Sequence, residues 1–197
     1  MPPLRTRRRQ QTASEIQAVT LKLAMEHGYA NVTTEMIARA AGISQRTFFN
    51  YYPNKEAAIV GRPAELDPAL LERFATSRQP LTRNLLDLMA AHCRQAAPRK
   101  EVVRAIVALT GEQPHLGLAF IDSMRRQAAH LADAIALRME PDSRQLAEHL
   151  ADTLIRAIGL TFYYWAHHPD QNIEAAIADT RKRLGQIGEL LCNAASG

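Results

Sequence analysis

Gln45, Arg46, Thr47 and Asn50 fall within one six-residue window, and their side chains suit one kind of chemistry. An arginine fork can grip the O6 and N7 of guanine, a side-chain amide the N6 and N7 of adenine, and a threonine methyl can touch that of thymine. Each good bidentate pair is worth about 1–3 kcal/mol of discrimination. Around this window Thr33, Thr34, Ser44, Tyr51 and Lys55, with Arg5, Arg7, Arg8 and Arg9 further upstream, supply hydroxyls and cations fitted to phosphate oxygens. That second group would grip without reading sequence.

Such readers work only if a helix presents them outward. Thr33 to Tyr52 has the makeup of two short helices crossing through a tight turn. Ala38 is small where the backbones approach, Gly42 permits positive φ in the turn, and Ile37, Ile43 and Phe48 can lock the pair. Thr33 caps the first helix and Ser44 the second, leaving the positive end of the second helix free to face a phosphate. This is a helix-turn-helix, whose second helix enters the DNA major groove by its N-terminal part. A preceding helix from about Ala13 to His27 carries Ile16, Val19 and Leu23 and stops at Gly28; Asn54 caps another beginning at Lys55. The plainer alternatives are an ordinary helical hairpin and, for the arginine-rich start, a solubilising tail.

The charge distribution agrees with a polyanionic partner. Of the formal net charge of +4, all lies in residues 1–60, which hold eight Lys/Arg against four acids, while the remainder balances. With 47% hydrophobic and 22% charged residues the 197-residue chain is globular rather than disordered. Cys93 and Cys192 are too few for a disulfide framework and lack zinc spacing. No run approaches the roughly 18 apolar residues of a membrane span, and no apolar segment follows the basic start, so a cytoplasmic protein without membrane contact is expected. His167-His168 makes a poor chelate, because neighbours on a helix point about 100° apart. Nothing else nominates a metal, a cofactor or a catalytic centre, and no enzyme is expected.

Beyond Gly61-Arg62-Pro63 the apolar periodicity predicts helices near 67–77, 80–97, 99–111, 114–139, 142–167 and 172–193, separated by prolines. The fold class is all-α. The last two helices carry stripes through Leu146, Leu150, Leu154, Ala157, Thr161 and Trp165, and through Ile173, Ile177, Leu184, Ile187 and Leu191. These are either plain core or an intersubunit face.

The span Ile16…Leu23…Gly28-Tyr29…Thr33…Ile37-Ala38…Ala41-Gly42-Ile43-Ser44…Thr47-Phe48-Phe49-Asn50-Tyr51-Tyr52-Pro53-Asn54-Lys55 resembles the DNA-binding domain of the TetR family of bacterial transcriptional regulators. The resemblance implies a flexible basic arm (1–10), a three-helix helix-turn-helix DNA-binding domain (11–60), and a larger helical ligand-binding and dimerisation domain (61–197). It further implies a homodimer through the last two helices, a near-palindromic operator in double-stranded DNA, a repressor's role and a small, largely apolar effector. Pocket candidates are Met89, His92, Cys93, Phe120, Met124, Phe162 and Trp165; interface candidates are Leu150, Leu154, Ile158, Ile177, Leu184, Ile187 and Leu191. The Thr47-Phe48-Phe49…Lys55 wording and Trp165 resemble a branch with acyl-CoA-type effectors. Three positions depart from the family's pattern: Arg46 replaces a usual Gly, Phe49 a Tyr whose hydroxyl meets a phosphate, and Ala24 a Phe, which implies repacking by Met25 or Met36. The competing reading is a helical enzyme or small-molecule carrier whose basic head merely docks a partner.

Overall fold

A computed structural model describes residues 4–62 and 66–195. Among these are ten α-helices, a short 3-10 turn at Tyr29–Asn31, and no strand. The helices are α1 (Leu4–His27), α2 (Thr34–Ala40), α3 (Gln45–Tyr51), α4 (Lys55–Val60), α5 (Pro68–Thr76), α6 (Leu81–Ala96), α7 (Lys100–Glu112), α8 (Pro114–Ala136), α9 (Arg144–His167) and α10 (Ile173–Ala195).

The caps explain most of the boundaries. Thr33, Ser44 and Asn54 accept the backbone N–H groups of Met36, Thr47 and Ala57 at 3.2, 3.0 and 2.8 Å, which satisfies donors that the first turn leaves open. Asp67 and Asn172 do the same for α5 and α10. At the end of α2, Ile43 N–H returns to Ala38 O and Gly42 N–H to Arg39 O. This closure needs a residue at positive φ, and Gly42 at 66° provides it.

The start of the chain is helical where a flexible arm is expected: residues from Leu4 onward are the opening turns of α1. Arginine and glutamine are good helix formers, and no breaker follows Pro3 to stop them. The side chains of Arg5 and Arg7 lie outside the described residues, as does Pro63 of the expected domain boundary.

The chain divides into two compact units, Met1–Pro63 with Glu101–Met124, and Ala64–Lys100 with Arg125–Gly197. This differs from a simple cut at residue 60. Ala13, Ile16, Ile37, Phe48 and Ile59 share one core with Leu109 and Leu116 of α7 and α8. A head of some fifty residues buries too little surface alone, and the added helices enlarge its core. Ala24 is buried in it, whereas Met25 is 54% exposed and does not fill the space of a larger side chain.

In the second unit α6 packs against α5, α9 and α10, and α9 against α10. The α9 face turned inward is rich in alanine: Ala147, Ala151, Ala157 and Ala166 are buried with Leu154, Ile155 and Ile158. Small residues let the helices approach closely and leave larger ones outside, among them Leu146 and Leu160. Lys100 Nζ donates to the carbonyls of His168, Pro169 and Gln171 at 3.0–3.1 Å, satisfying acceptors just past the end of α9.

Candidate nucleic-acid interface

The polar face of α3 is built from its buried one. Phe48 is fully buried and fixes the helix on the head. At about 100° per residue, Arg46 and Asn50 then stand about 160° and 200° from it, so they point most directly outward. Gln45, Arg46 and Asn50 are exposed; Thr47 is half-buried. The hydroxyl of Thr47 lies 2.8 Å from that of Ser44, so it is engaged with the cap. Gln45 Nε2 donates to Thr34 Oγ1 at 3.2 Å, which ties the start of α3 to the start of α2 and holds the amide in one orientation.

The expected phosphate group does not behave as one set. Thr33 and Ser44 are exposed caps, and Arg8 and Arg9 are exposed on α1. Thr34 and Tyr51 are half-buried, and the Tyr51 carbonyl accepts from Arg62 Nη2 at 2.7 Å. Lys55 is committed inward. Its Nζ donates to the carbonyls of Tyr29 and Val32 at 3.0 and 2.9 Å, and lies 4.2 Å from the centre of the Tyr29 ring. Two of its three donors and its charge are therefore engaged by the turn after α1. The ammonium acts as a brace between α4 and that turn.

Glu56 completes the brace by accepting a hydrogen bond from the Tyr29 hydroxyl. Burial pushes the Glu56 carboxyl up, but that hydrogen bond, its own backbone N–H and the charges of Lys55 and His115 outweigh burial and hold it below its ordinary value. Burial, then the hydrogen bond and charge of Glu56, raise the Tyr29 phenol. Tyr52 is buried and donates to Ala13 O at 3.0 Å. Burial pushes its phenol up to about 12, against the lowering charge of Arg62. At Gly61, φ is 75° and a Cβ would collide with the Gln17 side chain, which donates to Ile59 O at 3.2 Å. These supports are contacts between distant parts of the chain, and sequence spacing carries no signal of them.

The other candidates are scattered. Met89, His92 and Cys93 are buried on α6, and Phe162 and Trp165 are half-buried on α9 with ring centroids 6.5 Å apart. Phe120 and Met124 belong to the first unit. Burial lowers the His92 imidazole and pushes the Cys93 thiol up to about 12, the latter against Arg94 and a hydrogen bond with Thr161. A groove of about 140 Å³ on the second unit is lined by Leu160, Tyr164, Leu184 and Ile187 among others, and by none of the expected pocket residues. Of the expected interface set, Leu154, Ile158 and Ile177 are buried inside the protomer, Leu150 and Leu184 are half-buried, and Ile187 and Leu191 are exposed. Leu160, Tyr164 and Leu190 are further exposed apolar side chains of α9 and α10. Among the described residues no group of His, Cys, Asp and Glu could hold a metal, and no helix is long and apolar enough to cross a membrane.

Residues 16–58 match the model of the family described as bacterial regulatory proteins, tetR family. An uncharacterised HTH-type transcriptional regulator of Mycobacterium tuberculosis is 25% identical over 150 residues, 72% of this chain and 71% of that one. The HTH-type transcriptional regulator TcmR of Streptomyces glaucescens is 31% identical over 98 residues, 50% of this chain and 42% of TcmR. In fold, the chain is similar to Thermus thermophilus FadR, a transcriptional repressor of the same family crystallised with lauroyl-CoA. The TM-score is 0.50 at 24% identity, over 86% of this chain and 91% of that one.

Proposed function

We propose, from the match of residues 16–58 to the tetR family of bacterial regulatory proteins and the likeness to HTH-type regulators, that the chain is a DNA-binding transcriptional regulator of that family whose surfaces divide the work. The N-terminal part of α3 enters the major groove, where Arg46, Asn50 and Gln45 read base edges and Thr47 offers its methyl. Thr33, Thr34, Ser44, Tyr51, Arg8 and Arg9 grip the backbone. The observation that carries this reading is the outward pairing of Arg46 and Asn50 opposite the buried Phe48.

The protein acts as a homodimer on a near-palindromic operator and represses transcription. Support for the dimer comes from the exposed apolar side chains of α9 and α10: Leu160, Tyr164, Ile187, Leu190 and Leu191. With two copies of α3 in successive major grooves, half-sites stand about 34–36 Å apart. A small, largely apolar effector of acyl type releases the operator by binding better to the conformation in which that separation is wrong. Support for it is the FadR likeness and the burial on α6 of His92, a side chain able to orient a polar end, whose imidazole pKa is held below its ordinary value by that burial.

The test is duplex binding across a salt series, using DNA from upstream of the gene. Affinity falls steeply as salt rises, and Arg46→Ala and Asn50→Ala weaken the specific site far more than random DNA. Equal losses on both would remove these two residues as base readers.

A further inference from the structure

Phe49 is out of keeping with the polar surface that surrounds it. Its ring is 50% exposed, and in the helix-turn-helix head only Met25 is another large apolar side chain of comparable exposure among the described residues. Nor does the core need it, because Phe48 and Tyr52 already close that side of the head at 0% and 2% exposure. Yet the ring is held in place. It meets Phe48 edge-on, with centroids 5.4 Å apart and planes at 83°, a favoured aromatic geometry. On the helix it follows Gln45 by four positions and Arg46 by three, and precedes Asn50. It therefore forms one continuous patch with the outward polar side chains.

A phenyl ring has no donor for a phosphate oxygen, and apolar surface gains free energy only when another apolar surface takes it out of water. In the major groove the principal apolar group is the C5 methyl of thymine. We propose that Phe49 is a specificity-determining residue that packs on a thymine methyl beside the base pair contacted by Asn50. The proposal rests on the reading of α3 as the recognition helix. It assigns Phe49 a part in sequence readout rather than a lost phosphate contact.

The test begins by selecting duplexes from a random library with the full-length protein. Each thymine of the enriched site is then replaced singly by deoxyuridine, which keeps every hydrogen-bonding group and lacks only the methyl. Binding is measured by fluorescence anisotropy at fixed salt for the natural protein, Phe49→Ala and Phe49→Leu. At one thymine per half-site the replacement weakens the natural protein by about fourfold, the equivalent of one buried methyl at ~0.8 kcal/mol. Phe49→Ala binds thymine and deoxyuridine there alike, and Phe49→Leu keeps part of the preference. Unchanged thermal melting confirms that Phe49→Ala is folded. The proposal is overturned if no thymine responds, or if the response persists undiminished in Phe49→Ala, which would place the ring against sugar and phosphate. A library in which nothing is enriched would instead bring down the recognition-helix reading itself, and this proposal with it.

Discussion

The ammonium of Lys55 lies 4.2 Å from the centre of the Tyr29 ring while donating to the Tyr29 carbonyl at 3.0 Å, so one residue of the 3-10 turn holds Lys55 from two sides. A third contact, to Val32 O at 2.9 Å, completes the brace. Replacing Lys55 by Met removes two charge-assisted hydrogen bonds and lowers stability by about 1–3 kcal/mol, measurable by urea unfolding. The salt slope of DNA binding stays as it was. A slope smaller by about one would instead mark Lys55 as a phosphate contact.

Tyr52 makes stability depend on alkaline pH. Its folded pKa, about 12, lies above the unfolded value of 10, so the folded state holds a proton that the unfolded chain gives up. The contribution is complete below pH 10 and is lost as pH rises towards 12, amounting to roughly 3 kcal/mol. Tyr52→Phe removes the bond to Ala13 O and costs about 1 kcal/mol at pH 7, but it loses less between pH 10 and 12. Denaturant midpoints that fall equally in both proteins across that window would contradict this.

Cys93 is fully buried and its thiol is pushed up to about 12, chiefly by burial. In a Cys192→Ser variant a disulfide reagent at pH 8 reacts with native Cys93 at least about tenfold more slowly than with an ordinary thiol, because little thiolate forms and the sulfur is buried. Full reaction follows unfolding. Prompt labelling of the native variant would show that the interior around α6 opens readily.

Leu190 is 70% exposed, so Leu190→Asp costs the isolated protomer little. If α9 and α10 form the intersubunit face, the variant sediments as a monomer at micromolar concentration and binds an operator at least about tenfold more weakly, since a charge is then buried in an apolar contact. An undisturbed dimer would move the interface elsewhere.

The helix order was legible because prolines, caps and apolar periodicity agree along the chain. Thr33, Ser44 and Asn54 cap the helices that their positions announce. The exposure of Arg46 and Asn50 follows in the same way from an inward Phe48. Contacts at long sequence separation left no such trace. Lys55 carries the charge of a phosphate ligand, but its partners lie 26 and 23 positions away and turn it inward. Leu154, Ile158 and Ile177 fit an apolar stripe equally well as core or as interface, and periodicity does not say which side a second subunit takes. Leu109 and Leu116 enter the head's core from a segment that belongs, by order along the chain, to the body.

Because α1 starts at Leu4, Arg8 and Arg9 project from a helix instead of a loose strand of chain. An arm ordered only on contact would lose about 1–2 kcal/mol of backbone conformational freedom per residue at that moment. Here the ordering belongs to folding. The two charges arrive at any polyanion as a pair with a set spacing, so the angle at which α1 approaches decides whether they engage together.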